Sequence, residues 1–447
     1  MRLIGSSAHS WRLRGIAALV LSALMLAVTA GGVAADGQRG HGHQGAADPK
    51  VINDWNAIAV RTIAVEAGKA NAEAFLWYGF TQVAVHNAVN GITHRYELYK
   101  WHAHESHRAS PQAAAAAAAH AVLAYYFPLS KANLDADLAT SLLAIPDGWA
   151  KTRGVEFGER AAARLIQLRV DDGRNTPLIF NQPLMAGVWR PTPPAFAPFL
   201  APWLSVVRPL TLRSTQQFRP SGPPALTSET YTKEYNEVKD YGSAGSVLRS
   251  PAQTETAKFF SDIAIGPLQG SLRDLATRHH FDISKRARMF AAVDVSIADA
   301  LGAIWDSKFH FGFWRPITAI QLGDIDTNPD TVGDAAWLPL IVTPPYPDYA
   351  SGLSAVVGAM SRALTRVLGT RHIDLNITSV AAGLPGTPLT RHYELAADFN
   401  QDVIDARVWS GIHFRTADVV GNRIGKKVAD WALDHYFERT GKHGEHD

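Results

Sequence analysis

Six residues in the last third of this 447-residue chain could together hold a tetrahedral oxyanion. Lys308 and Arg315 stand seven residues apart, the second just before Pro316. Ser351-Gly352 closes the proline-set approach of PPYPDYASGLSAVVGAM, which starts at Pro344, and Arg407 precedes His413 by six residues. Arginine and lysine neutralise an anion, and the guanidinium forks also fix its orientation. A serine hydroxyl and a free N–H at a helix start add hydrogen bonds. The histidine can then attack or ligate the central atom along the remaining axis. Phosphate during in-line displacement and vanadate bound to one nitrogen share a trigonal-bipyramidal shape, so one cage could serve either. Taken singly each residue is ordinary: a lysine can snorkel at a helix end, a serine can cap a helix, and a histidine can pack in a core. Leu353 is the odd neighbour, because proton-transfer chemistry would want a titratable side chain right after Ser351-Gly352.

Helices must position these groups. In RMFAAVDVSIADALGAIWDSKFHFGFWRPITAI, Phe290, Val293, Ile297, Leu301 and Ile304 recur at the spacing of one buried helix face, and Lys308 falls next on that stripe. Gly312 and Pro316 predict that the helix ends near there, so Lys308 and Arg315 must converge through tertiary structure. Prolines 344, 345 and 347 favour extended neighbours, and Ser351 or Gly352 can start the helix that follows. Ser410-Gly411 interrupts the chain before a second helix with a stripe of Val420, Ile424, Val428 and Trp431. The front half is also helical, from VINDWNAIAVRTIAVEAG through SPQAAAAAAAHAVLAYYF, where Ser110 and Pro111 start a run of alanines. His86 and His120 inside its apolar runs read as packed core residues. Residues 181–250 shift to proline, serine and threonine, a connecting segment expected to drape over helices and over a site. No repeat, strand-rich region or glycine-rich phosphate loop stands out, and the fold class is all-α.

With 47% hydrophobic and 19% charged residues the chain can bury a large core. The formal charge of +2 includes Arg2, Arg12 and Arg14, and without them it is near −1, which gives no basic field for nucleic acid. These arginines, the apolar run IAALVLSALMLAVTA and the small residues Val33 and Ala35 read as a signal peptide over 1–35, with export to the periplasm or the medium. An uncleaved anchor is the rival, since the apolar run through Ala35 is about 20 residues long. No later stretch is apolar enough to cross a bilayer. We expect a flexible N-terminus over 36–50, a helical region with the proline-rich connection over 51–250, a C-terminal helical domain carrying the site over 251–440, and a tail over 441–447. Zero cysteines exclude disulfides, thiolate metal sites and cysteine nucleophiles.

The order Lys308, Arg315-Pro316, Ser351-Gly352, Arg407, His413 resembles the vanadium-dependent haloperoxidases and the related type-2 phosphatidic acid phosphatases. DWNAIAV, VAVHNAVNGI, FRPSGPPALTS and FGFWRPITAIQ look like the exported bacterial haloperoxidase branch, and the likeness covers most of the chain after the leader. It implies helical bundles of the haloperoxidase and acid phosphatase type. By that resemblance Lys308, Arg315, Ser351, Gly352 and Arg407 would hold the oxygens of vanadate, or of phosphate in the same site. His413 would be the axial ligand, Lys308 would polarise bound peroxide, and Trp305 and Tyr346 would flank a halide. The family normally carries Ser-Gly-His where this chain has Ser351-Gly352-Leu353, and that histidine moves protons. The function implied is oxidation of bromide or iodide by hydrogen peroxide, impaired by Leu353. The alternatives are a phosphomonoesterase with a His413 nucleophile, for which His310 or His392 could replace the missing acid, and an oxyanion-binding protein without turnover. Asp418 is close in sequence to His413, but proximity alone does not make it the carboxylate that orients the ring.

Overall fold

The computed structural model describes residues 47–262 and 265–441. The expected signal peptide lies outside the described residues. The described residues form thirteen α-helices, short 3-10 and π segments, and one β-hairpin. None of these helices is long and apolar enough to cross a membrane.

The helix Ile283–Phe311 runs through the middle. Asp282 caps its start by accepting from the Lys285 N–H, and Gly312, at φ 54°, ends it in the left-handed conformation that glycine adopts without strain. The apolar stripe from Phe290 to Ile304 is buried as its spacing predicts, but so is the rest of the helix from Met289 to Lys308. Its acids do not face water. Asp299 accepts from the backbone N–H groups of Leu210, Thr211 and Leu212 at 2.7, 2.6 and 3.1 Å, and Asp306 receives both arms of Arg219 at 2.7 Å. Buried carboxylates persist when their lone pairs are filled in this way. The proline-rich segment therefore drapes over the central helix because the acids of that helix bind its backbone and Arg219.

Helices Asn71–Thr93, Gly352–Leu368 and Arg415–His435 surround the central one. The alanine helix Pro111–Tyr126 begins as its sequence predicts, with Ser110 accepting from the Ala113 N–H and proline in the first turn. Its buried alanines let helices Asn71–Thr93 and Trp149–Leu168 come close. His86 is a core residue, one ring nitrogen 2.9 Å from the Glu97 carbonyl, and His120 pairs with Asp135. Strands His372–Ser379 and Leu389–Leu395 pair antiparallel, one small β element in a fold whose sequence reads as all-α. The alternation of Ile373, Leu375 and Ile377 with polar neighbours is its sequence signal, short enough to pass unnoticed among helices.

The contact that builds the site is between helices Gly352–Leu368 and Arg415–His435. A Cβ on Gly421 would overlap the Ser351 carbonyl oxygen, and one on Gly425 would overlap that of Ala355. Only the missing side chains allow so close an approach. Gly421→Ala should therefore cost about 1–3 kcal/mol of stability, the usual penalty of overpacking, and should loosen Ser351 as well. Thermal unfolding compared with phosphate affinity checks it: both should fall together.

Candidate oxyanion site

Three segments converge under the end of the central helix. Lys308 is fully buried in its last turn, and its ammonium donates to the Pro347 and Asp348 carbonyls at 2.6 and 2.9 Å. Two of its three N–H bonds are thus used, and one is left for a ligand. Gly312 turns the chain back, and Arg315 becomes the residue before the short helix Pro316–Gln321. The Arg315 guanidinium, wholly buried, donates from Nε to the Tyr346 carbonyl at 2.7 Å and from Nη1 to the Ile412 carbonyl at 2.6 Å. The Tyr346 ring lies below both cations, 4.9 Å from Lys308 Nζ and 4.8 Å from the Arg315 carbon.

Ser351 is the N-cap of helix Gly352–Leu368, yet its hydroxyl caps no amide. Its backbone N–H donates to the Ala417 carbonyl at 2.9 Å, and its Oγ donates to Ser354 Oγ at 3.3 Å. The Gly352 N–H belongs to the first turn, where helical N–H groups have no intrahelical partner and the helix dipole favours an anion. Arg407 comes from the last turn of Ala396–Trp409 and is buried, with one contact to the Phe260 carbonyl at 3.5 Å.

His413 is set by a residue that the sequence did not single out. Its Nδ1 lies 2.7 Å from Asp348 Oδ1, and both side chains are buried. Its Nε2 lies 3.1 Å from Arg315 Nη1. A guanidinium can only donate, so Nε2 must accept and the ring proton sits on Nδ1, where Asp348 receives it. Burial holds the imidazole well below its ordinary pKa, reinforced by Arg315, Lys308 and Arg407, so the ring is neutral. Burial also pushes the Asp348 carboxyl well up, against the pull of Arg315 and Lys308. The Nε2 lone pair thus lies on the cage side of the ring, against Arg315.

Asp418 does not orient His413. Its carboxylate lies behind the serine wall and accepts from Ser354 Oγ at 2.9 Å. His310 is exposed at the end of the central helix, and His392 is exposed on the hairpin beside Asn376. His310 packs edge-on against Phe311, and His392 also lies near Asp374 and Glu394, away from the cage residues. A chamber of about 170 Å³ adjoins the cage, lined by Phe75, Phe260, Trp305, Tyr346, Leu353 and Arg407 among others. Trp305 and Tyr346 stand on its wall with ring centres 5.1 Å apart. Trp305 is also held by its Nε1, which donates to the Leu200 carbonyl at 3.0 Å. The connecting segment thus covers the site as well as the core.

Residues 288–441 match the family model described as the VCPO second helical-bundle domain. Over that stretch the chain resembles the vanadium haloperoxidases. A vanadium chloroperoxidase of Curvularia inaequalis is 28% identical over 171 residues, which cover 29% of this chain and 27% of that protein. The match thus spans about a quarter of that protein's length. Two solved structures share the fold. A bacterial vanadium-dependent iodoperoxidase superposes with a TM-score of 0.74 at 22% identity, covering 88% of this chain and 98% of its own. A holo-type bacterial vanadium-dependent chloroperoxidase gives 0.68 at 18%, covering 87% and 97%.

The donors of this chain suit an oxyanion by their own chemistry. Arg315 Nη2 and Arg407 Nε are buried without a protein partner, although buried N–H groups in folded proteins nearly always have one. Sequence reasoning missed Asp348, although it stands in the quoted proline stretch, three residues before Ser351. The available signal was a lone acid between prolines, in a segment too extended to pair locally.

Proposed function

We propose that this chain is a vanadate-dependent haloperoxidase-type enzyme that oxidises bromide or iodide with hydrogen peroxide. The observation that carries the proposal is the convergence of His413, its Nε2 3.1 Å from Arg315 Nη1, with Arg315 Nη2 and Arg407 Nε, two buried guanidinium N–H groups without a protein partner. When bound, vanadate supplies a Lewis-acidic centre that activates peroxide with no net change in its oxidation state. The protein holds the charge and the geometry. Arg315, Arg407, the third N–H of Lys308, the Ser351 hydroxyl and the Gly352 N–H would bind the oxygens, and His413 Nε2 would ligate the central atom. The reaction is H2O2 + X⁻ + H⁺ → HOX + H2O. Lys308 would place its positive charge beside the oxygen to be transferred, and the chamber beside Trp305 and Tyr346 would admit the halide. The leader sequence adds the proposal that the enzyme works in the periplasm or outside the cell.

Vanadate-reconstituted protein should oxidise bromide or iodide, and His413→Ala should lose both this activity and most vanadate affinity, followed by vanadium NMR. No halide turnover above the His413→Ala control would sink the activity. A second reading, a phosphomonoesterase, rests on the same Asp348–His413 pair, which also suits a nucleophilic imidazole. Hydrolysis of an aryl phosphate, whose leaving group needs little protonation, would have to depend on His413. Tight phosphate or vanadate binding with neither activity would leave an oxyanion-binding protein.

A further inference from the structure

Halide oxidation consumes one proton per turnover, and the residue that would donate it, next to Ser351-Gly352, is Leu353. The two guanidinium groups and His413 are poor replacements. Arginine does not give up protons at neutral pH, and His413 Nε2 carries a lone pair for ligation. Behind the serine wall, however, lies a carboxyl group with a path to the cage. Asp418 is fully buried, with Oδ1 2.9 Å from Ser354 Oγ and Oδ2 without a partner. Ser354 Oγ is in turn 3.3 Å from Ser351 Oγ, the hydroxyl that caps no amide.

We propose that Asp418 is the proton reservoir of the oxyanion site, delivering through Ser354 Oγ and Ser351 Oγ to the anion oxygen that Ser351 contacts. The role rests on the reading of the cage as an oxyanion site. Each hydroxyl is both donor and acceptor, so the chain can run in either direction. When Asp418 is ionised, the serine protons point towards it. When it is protonated, its O–H bond breaks as Ser354 takes that proton, Ser354 passes its own to Ser351, and Ser351 passes its own to the anion oxygen. One carboxyl O–H is lost, one O–H forms on the anion, and both serines are restored. Water in the chamber recharges the carboxyl along the same path. Gly421 brings the two ends together, since its missing Cβ lets the Asp418 helix press against Ser351.

The surroundings make the carboxyl exchangeable near neutrality. Burial raises it to about 7, opposed by Ser351, Arg407, Ser354 and Arg415. The cage cations Lys308 and Arg315 also feel its charge. An arriving oxyanion neutralises these cations and should push Asp418 further up, so that it takes a proton from solvent at pH values just above 7.

The full chain is titrated with inorganic phosphate at pH 7.5 by calorimetry, in buffers of different ionisation enthalpy, to count the protons taken up on binding. Asp418→Asn keeps the shape and a partner for Ser354 but cannot titrate. The parent should take up more protons than this variant, by a sizeable fraction of one; equal uptake would overturn the reservoir. Ser354→Ala should leave phosphate affinity little changed and lower halide oxidation about 10²-fold, the lower end for loss of a proton-transfer group. Undiminished turnover in Ser354→Ala would overturn the path. The rate of the parent should fall as pH rises through the titration of Asp418, and this dependence should be absent in Asp418→Asn. A parent that binds phosphate but oxidises no halide would defeat the haloperoxidase reading alone, and the proton count would still decide the role of Asp418.

Discussion

Leu353→His should raise peroxide-dependent bromide oxidation by about two orders of magnitude, measured on vanadate-loaded parent and variant side by side. Leu353 lies in the first turn of helix Gly352–Leu368, half-buried on the chamber wall, directly after two cage residues. An imidazole there would stand at the junction of chamber and cage. General acid or base catalysis typically contributes about 10²–10⁴-fold, and a relay through Ser351 that already supplies part of the proton transfer argues for the lower end. Vanadate affinity should change little, because leucine offers the anion no donor. The stability cost should also be small, since the position faces the chamber rather than the closed core. Unchanged turnover at full vanadate loading would show that a proton donor at this position is not what limits the enzyme.

Asp348→Ala should lower stability by about 3–5 kcal/mol, the usual consequence of leaving a buried charge without its partner. Asp348 lies against His413 and 4.0 Å from Arg315, and its own carbonyl accepts from Lys308. Without the carboxylate, Lys308, Arg315 and Arg407 face one another with less compensation. His413 also loses the acceptor that fixes its tautomer, and loss of such an orienting partner commonly costs about 10–100-fold in ligand affinity. Phosphate should recover part of the stability, because an anion that binds only the folded state restores negative charge to the cage. Thermal unfolding with and without phosphate separates the two effects: a variant as stable as the parent in the absence of anion would refute the electrostatic role of Asp348.

The helical class and the cage donors were legible in the sequence because they leave local marks. Apolar residues three and four apart mark a helix face, a lysine continuing such a face is conspicuous, and Ser351-Gly352 after a proline run signals a helix start. Pairings were not legible. Asp418, five residues from His413, turned out to serve Ser354, whereas Asp348, 65 residues away, holds the ring. Nor does the spacing along the central helix show that Asp299 and Asp306 are capped by a segment about 90 residues earlier in the chain. The physical reason is common to both. Periodicity reports which residues avoid water, and a buried carboxylate avoids it only when distant donors reach it. The sequence by itself determined which groups could hold an oxyanion. Only the tertiary structure, through the close helix contact at Gly421 and the folded-back connecting segment, decided which carboxylate orients His413 and which lies behind Ser351.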